Sequence, residues 1–212
     1  MTNPHHGQAV RTAGAPLDSA KAAMIMIHGR GATAESILTL AEEFDQSDFV
    51  YLAPQAAGYT WYPNRFLAPL ASNEPWLSSA LNAIAEIFLQ LAQAGIPAER
   101  TMLLGFSQGA CLALEFAARN AKRYAGLVGL SGGLIGPDDT PRDYAGSLAD
   151  TPVFLGCSEA DFHIPQERVQ HTAAVLQKLD GNVTVRLYPN MEHTVNQDEI
   201  DFVRGMMQAV TK

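Results

Sequence analysis

Met102-Leu103-Leu104-Gly105-Phe106-Ser107-Gln108-Gly109-Ala110 joins an apolar run to an alanine-rich one, and its reading decides the fold. The spacing predicts a buried strand over 102–106 and a helix over 107–120, with Gly-x-Ser-x-Gly at the join. So sharp a turn holds the serine in a strained backbone conformation, and the flanking glycines remove side chains that would collide there. Ser107 is then exposed at the carboxyl edge of a sheet. The free N–H groups and positive end of the helix lie behind it. The plain alternative, a serine that merely caps a helix, is disfavoured by this strand–turn–helix context.

Outward from this join, short apolar runs alternate with helical patterns, which predicts βαβ units and a mainly parallel sheet with helices on both faces. Strands are expected over 22–27, 49–53, 127–131, 153–156 and 183–188. Helices are expected over 33–44, from near Pro75 onward, over 166–179 and over 198–210. The helix after Pro75 has the core stripe Leu77, Leu81, Ile84, Phe88 and Leu91, in steps of four and three. Residues 55–72 read as irregular and aromatic, and no insertion long enough for a large lid is apparent. One domain is expected over 21–212, preceded by an N-terminal segment, 1–20, that in part could be an edge strand.

A serine hydroxyl is a weak nucleophile at neutral pH and needs a base beside it. Of six histidines, His5 and His6 are expected in a mobile terminus and His171 within a helix. His193 falls in the loop between the last strand and the last helix, at the sheet edge where loops reach Ser107, and is the candidate base. The base needs a carboxylate to fix its tautomer. Asp161 and Glu159 both follow the preceding strand; Asp161, later in the loop, is preferred. The order Ser107, Asp161, His193 is that of the α/β-hydrolase layout. His28-Gly29-Arg30-Gly31 ends the first strong strand and supplies a candidate oxyanion loop, with the main-chain N–H groups of Arg30 and Gln108 as donors. His28 is read as structural. A phosphate cradle at these glycines lacks the remaining glycines and lysine of the known loops.

Together these stretches resemble the phospholipase/carboxylesterase family, which includes the acyl-protein thioesterases and bacterial carboxylesterases. The resemblance runs from His28-Gly29-Arg30-Gly31 through Gly105-Phe106-Ser107-Gln108-Gly109-Ala110 and the Asp161 and His193 loops. It implies a single-domain α/β-hydrolase fold without metal or organic cofactor. It also implies a serine hydrolase that cleaves carboxylic esters of small to medium acyl groups through an acyl-enzyme. Thioester hydrolysis, of small molecules or acyl-proteins, is the alternative within enzymes. A ligand-binding homologue without turnover is the alternative outside them. Arg30 stands where many thioesterases of the family have leucine, and Trp61-Tyr62-Pro63-Asn64-Arg65-Phe66 differs from the eukaryotic version, which favours the bacterial branch. Trp61 and Tyr62 are candidate walls of the substrate pocket, and Leu134 and Ile135 a candidate opposite wall.

The composition fits this reading. Of 212 residues 47% are hydrophobic, enough for one well-developed core. Lys and Arg number 14 against 22 Asp and Glu, a net charge of −8. That balance opposes binding to nucleic acid or an anionic membrane, yet leaves room for a small anionic substrate in a local basic pocket. Two cysteines, Cys111 and Cys157, lie in apolar stretches and read as free buried thiols. No leader pattern and no membrane-length apolar run is visible, so a cytoplasmic protein is expected, with a small ester or thioester as partner. An apolar patch around the site could support a homodimer.

Overall fold

The computed structural model describes residues 3–211. Seven strands are present among them: β1 (Val10–Gly14), β2 (Ala22–Ile27), β3 (Phe49–Pro54), β4 (Thr101–Phe106), β5 (Gly126–Leu130), β6 (Pro152–Ser158) and β7 (Asn182–Tyr188). They form one sheet in the order β1-β3-β2-β4-β5-β6-β7. Only β1, at the edge, runs antiparallel to its neighbour; the other pairings are parallel. The helices are α1 (Ala34–Phe44), α2 (Trp76–Gln93), α3 (Gln108–Arg119), α4 (Gln166–Lys178) and α5 (Gln197–Val210).

Strands covered on both faces must be apolar on both, and alternation in β2 assigns the faces. Ala23, Ile25 and Ile27 join the core under α2, α3 and α4. Ala22, Met24 and Met26 join the core under α1 and α5. Each fully buried large aliphatic or aromatic side chain contributes about 1.5–3 kcal/mol, so these two cores position everything at the sheet edge. The α2 stripe differs in one place from the reading above. Leu81 is only half-buried, whereas Ala80 and Ile87 are buried with Leu77, Ile84, Phe88 and Leu91. A true 3.6-residue turn drifts past the four-and-three spacing and puts those two on the core side.

β6 runs two residues past the expected end, because Cys157 and Ser158 pair with Leu187 and Tyr188 of β7. The N-terminal segment corrects a second expectation. His5 is buried at 4% exposure rather than mobile. Its Nδ1 accepts from the Ala57 N–H at 3.1 Å, so Nε2 carries the proton and donates to the Trp61 carbonyl at 2.9 Å. The Ser79 hydroxyl accepts from the His5 N–H.

Candidate active site

β4 delivers Ser107 to the carboxyl edge of the sheet, at φ 55° and ψ −119°, outside the regions an L-residue normally occupies. The Ser107 N–H is tied to the Leu130 carbonyl at 2.9 Å. The glycines permit the crossing of α3 over β2 and β4. A Cβ on Gly105 would collide with the Gly109 carbonyl, and one on Gly109 with the Ile27 carbonyl.

The partners come from the loops after β6 and β7. Ser107 Oγ lies 2.8 Å from His193 Nε2, and His193 Nδ1 lies 2.7 Å from Asp161 Oδ2. A carboxylate only accepts, so Nδ1 carries the proton and Nε2 presents its lone pair to the serine hydroxyl. Asp161 Oδ1 accepts from the His163 and Ile164 N–H groups at 2.8 and 3.1 Å. Burial raises the Asp161 pKa, but the bonds from His193, His163 and Ile164 outweigh it and leave it below the usual carboxylate value. The Cys157 thiol also faces Oδ2, at 3.8 Å. Glu159, the other acid considered, is exposed and takes no part.

The His193 ring sits between those of Phe106 and His163, at centroid distances of 5.0 and 4.9 Å. Its loop is fixed by Ser158 Oγ, which donates to the Met191 carbonyl at 2.5 Å, and by the capping box of Asn196 and Glu199 that starts α5.

Two N–H groups flank Ser107. That of Gln108, at the first position of α3, is beyond reach of the helix's own carbonyls. That of Arg30 has no acceptor among the described residues. Gly29 brings the Arg30 loop in close: a Cβ on it would sit 3.4 Å from Ser107 Cβ. His28 is buried beneath this loop. Its Nε2 accepts from the Ala56 N–H at 3.1 Å, so Nδ1 donates to the Gly29 carbonyl at 2.8 Å. Burial lowers the His28 pKa and keeps the ring neutral for that double role.

Over Ser107 opens a cavity of about 640 Å³, whose walls include Tyr62, Phe66, Phe106, His163 and Ile164. Residues 62–66 form one wall, and the segment is held by side chains from elsewhere. The Arg30 guanidinium donates to the carbonyls of Tyr62, Pro63 and Asn64 at 2.9, 3.0 and 2.7 Å. The Gln108 side chain accepts from the Trp61 N–H at 3.0 Å and donates to the Tyr62 carbonyl at 2.8 Å.

Of the four expected wall residues, only Tyr62 faces the cavity; Trp61, Leu134 and Ile135 do not. Trp61 is fully buried because its indole N–H finds the His28 carbonyl at 2.8 Å. Leu134 and Ile135 are core residues, and their N–H groups donate to Thr172 Oγ1 and to the buried Glu115 carboxylate. Sequence reasoning missed Phe66, Phe106, His163, Ile164 and Arg65 as lining. The signal for His163 and Ile164 was their place two and three residues past Asp161. Cys111 reaches the cavity wall as a buried thiol that burial pushes up to about 12, so it stays protonated.

A model of the phospholipase/carboxylesterase family matches residues 10–211. The chain belongs to that family. It is a hydrolase of the α/β fold. A solved phospholipase/carboxylesterase from Dyadobacter fermentans is 39% identical, with a TM-score of 0.91 over 98% of both chains. Acyl-protein thioesterase 1 of Debaryomyces hansenii is 26% identical over 96% of this chain and 97% of its own. Acyl-protein thioesterase 2 of Zea mays shares the fold, with a TM-score of 0.74 at 20% identity, covering 97% of this chain and all of its own.

Proposed function

We propose that this family member is a serine carboxylesterase in which Ser107, His193 and Asp161 carry the chemistry. The observation that carries the reading is the unbroken chain Ser107 Oγ, His193 Nε2 and Nδ1, Asp161 Oδ2, at 2.8 and 2.7 Å, with Ser107 and His193 lining the cavity and Asp161 covered behind them. His193 takes the proton of Ser107 as Oγ attacks the ester carbonyl. The Arg30 and Gln108 N–H groups donate to the carbonyl oxygen and stabilise the negative charge that develops on it. His193 then gives its proton to the departing alkoxide, and water repeats the cycle on the acyl-enzyme. Asp161 holds the tautomer that makes this possible.

The substrates are small, soluble esters that fit a cavity of about 640 Å³. Among the described residues no helix is long and apolar enough to cross a membrane, and a cytoplasmic site of action suits the two free thiols. The thioesterase names among the relatives favour thioesters as a second reading, since the same machinery accepts a better leaving group.

The test is kcat/KM on p-nitrophenyl esters of increasing acyl length, for wild type and Ser107→Ala. Turnover that falls by roughly a thousandfold or more in the variant supports the reading; equal rates in both sink it. An oxygen and a sulfur ester of one acyl group rank the two leaving atoms.

A further inference from the structure

The charge around the cavity runs against the charge of the chain. Carboxylates outnumber cations 22 to 14 overall. The residues that line the cavity include two arginines, Arg30 and Arg65, and no Asp or Glu. Asp161, the nearest carboxylate to the floor, has a fully covered side chain, and its charge is screened by the His193 ring.

The two arginines differ in a useful way. Arg30 is immobilised by three carbonyls, none of them charged, so its position is fixed and its positive charge remains uncompensated. Arg65 is exposed on the rim, and its guanidinium has no partner among the described residues. The amino end of α3 adds a positive partial charge on the floor beside Ser107. A cleft lined by one sign of charge over apolar walls concentrates field lines and draws in the opposite charge. The walls supply that apolar part through Tyr62, Phe66, Phe106 and Ile164.

We propose that the site selects anionic esters: substrates whose acyl or alcohol portion ends in a carboxylate that pairs with Arg65 within the field of Arg30. This deepens the esterase reading and rests on it. An apolar spacer against Phe66 and Ile164 separates the carboxylate from the scissile carbonyl at Ser107. Arg65 presents the planar fork that suits a carboxylate, and a bidentate pair there fixes orientation as well as adding affinity.

Two matched pairs of esters test this. One sets the p-nitrophenyl monoester of adipic acid against p-nitrophenyl heptanoate, with the charge on the acyl side. The other sets para-acetoxybenzoate against para-acetoxybenzamide, with the charge on the leaving side. At low salt the wild type should favour the anionic member of at least one pair by about fivefold or more in kcat/KM, as expected for a partly exposed charge-assisted pair. That ratio should shrink as ionic strength rises from about 0.01 M to about 0.15 M, where the Debye length falls from about 30 Å to about 8 Å. Arg65→Gln should cut the ratio about threefold or more. A wild-type ratio at or below one in both pairs overturns the proposal, as does a ratio that Arg65→Gln leaves unchanged.

Calorimetric titration of the same intact esters into Ser107→Ala separates the two readings. Tighter binding of the anionic member, with no turnover in wild type, removes the esterase reading and keeps the charge selectivity. Equal or weaker binding of the anionic member overturns the charge selectivity, whatever the wild-type rates.

Discussion

On the Ser107 side of the cleft the chain is held by main-chain geometry, and on the facing side, residues 56–64, it is held by side chains that arrive from elsewhere. The elbow depends on two glycines that let α3 cross β2 and β4 and on the Ser107 N–H bonded to the next strand. The facing segment has one short 3₁₀ turn, Ala57–Tyr59, and no strand or α-helix. It is secured by His5, by His28 and Arg30 of one loop, and by Gln108, from three different parts of the chain. A reacting atom needs a position fixed to a fraction of an ångström, which only close backbone packing supplies. A substrate wall needs a shape that can vary between relatives, and side-chain tethers permit that.

Two alanine substitutions should break this comparison most severely if it is wrong. Gly109→Ala drives a Cβ into the Ile27 and His28 carbonyls, backbone that cannot yield, and should cost more than about 4 kcal/mol or abolish soluble protein. Gly58→Ala, at φ 56° in the facing segment with open space around it, should cost only about 1 kcal/mol for the left-handed backbone. Urea midpoints compare them directly. Equal losses at both positions would mean that the wall is as tightly packed as the elbow.

Arg30→Leu asks how far the wall depends on its tethers, because it removes three bonds and leaves the Arg30 N–H in place. Releasing the Tyr62, Pro63 and Asn64 carbonyls should lower kcat/KM on neutral esters by about tenfold to a hundredfold, mainly through KM, since the wall binds substrate and does not touch the reacting bond. Arg30→Lys, which keeps the charge but replaces the planar fork with a single ammonium, should recover part of the loss. A fall in kcat with KM unchanged would instead place the damage in the oxyanion loop itself.

The same division explains what the sequence made legible. Strand runs such as Ala22–Ile27 and the glycines around Ser107 are local patterns, and local patterns specify a parallel sheet and its elbow. Asp161 and His193 could be named because loops after successive parallel strands must emerge at one edge. The wall was legible only at Tyr62. Trp61 and Ile135 are apolar and follow a strand end, as a pocket residue would. Nothing local tells that one is drawn inward by the His28 carbonyl and the other by Glu115, 20 residues earlier. The role of Arg30 was read only in its main chain because its three acceptors lie 32 to 34 residues on.

His5 gives the mildest test of the wall, and its sign can be worked out in advance. The buried ring is neutral, donating to the Trp61 carbonyl and accepting from the Ala57 N–H, and burial lowers its pKa from 6.5. A histidine with a lowered folded pKa stabilises the protein above the unfolded value, where both states are neutral. That contribution is lost as pH falls through the folded value, because the unfolded chain takes up the proton first. His5→Ala should therefore cost about 1–2 kcal/mol at about pH 8, the worth of two bonds and one buried ring. The gap between variant and wild type should narrow below about pH 6.5. Paired urea melts at the two pH values read the difference. A gap that widens on acidification would mean that the folded protein holds His5 charged, with its ring turned so that both nitrogens donate. The Ala57 N–H would then have lost its acceptor, and the N-terminal segment would grip the wall by a different set of bonds.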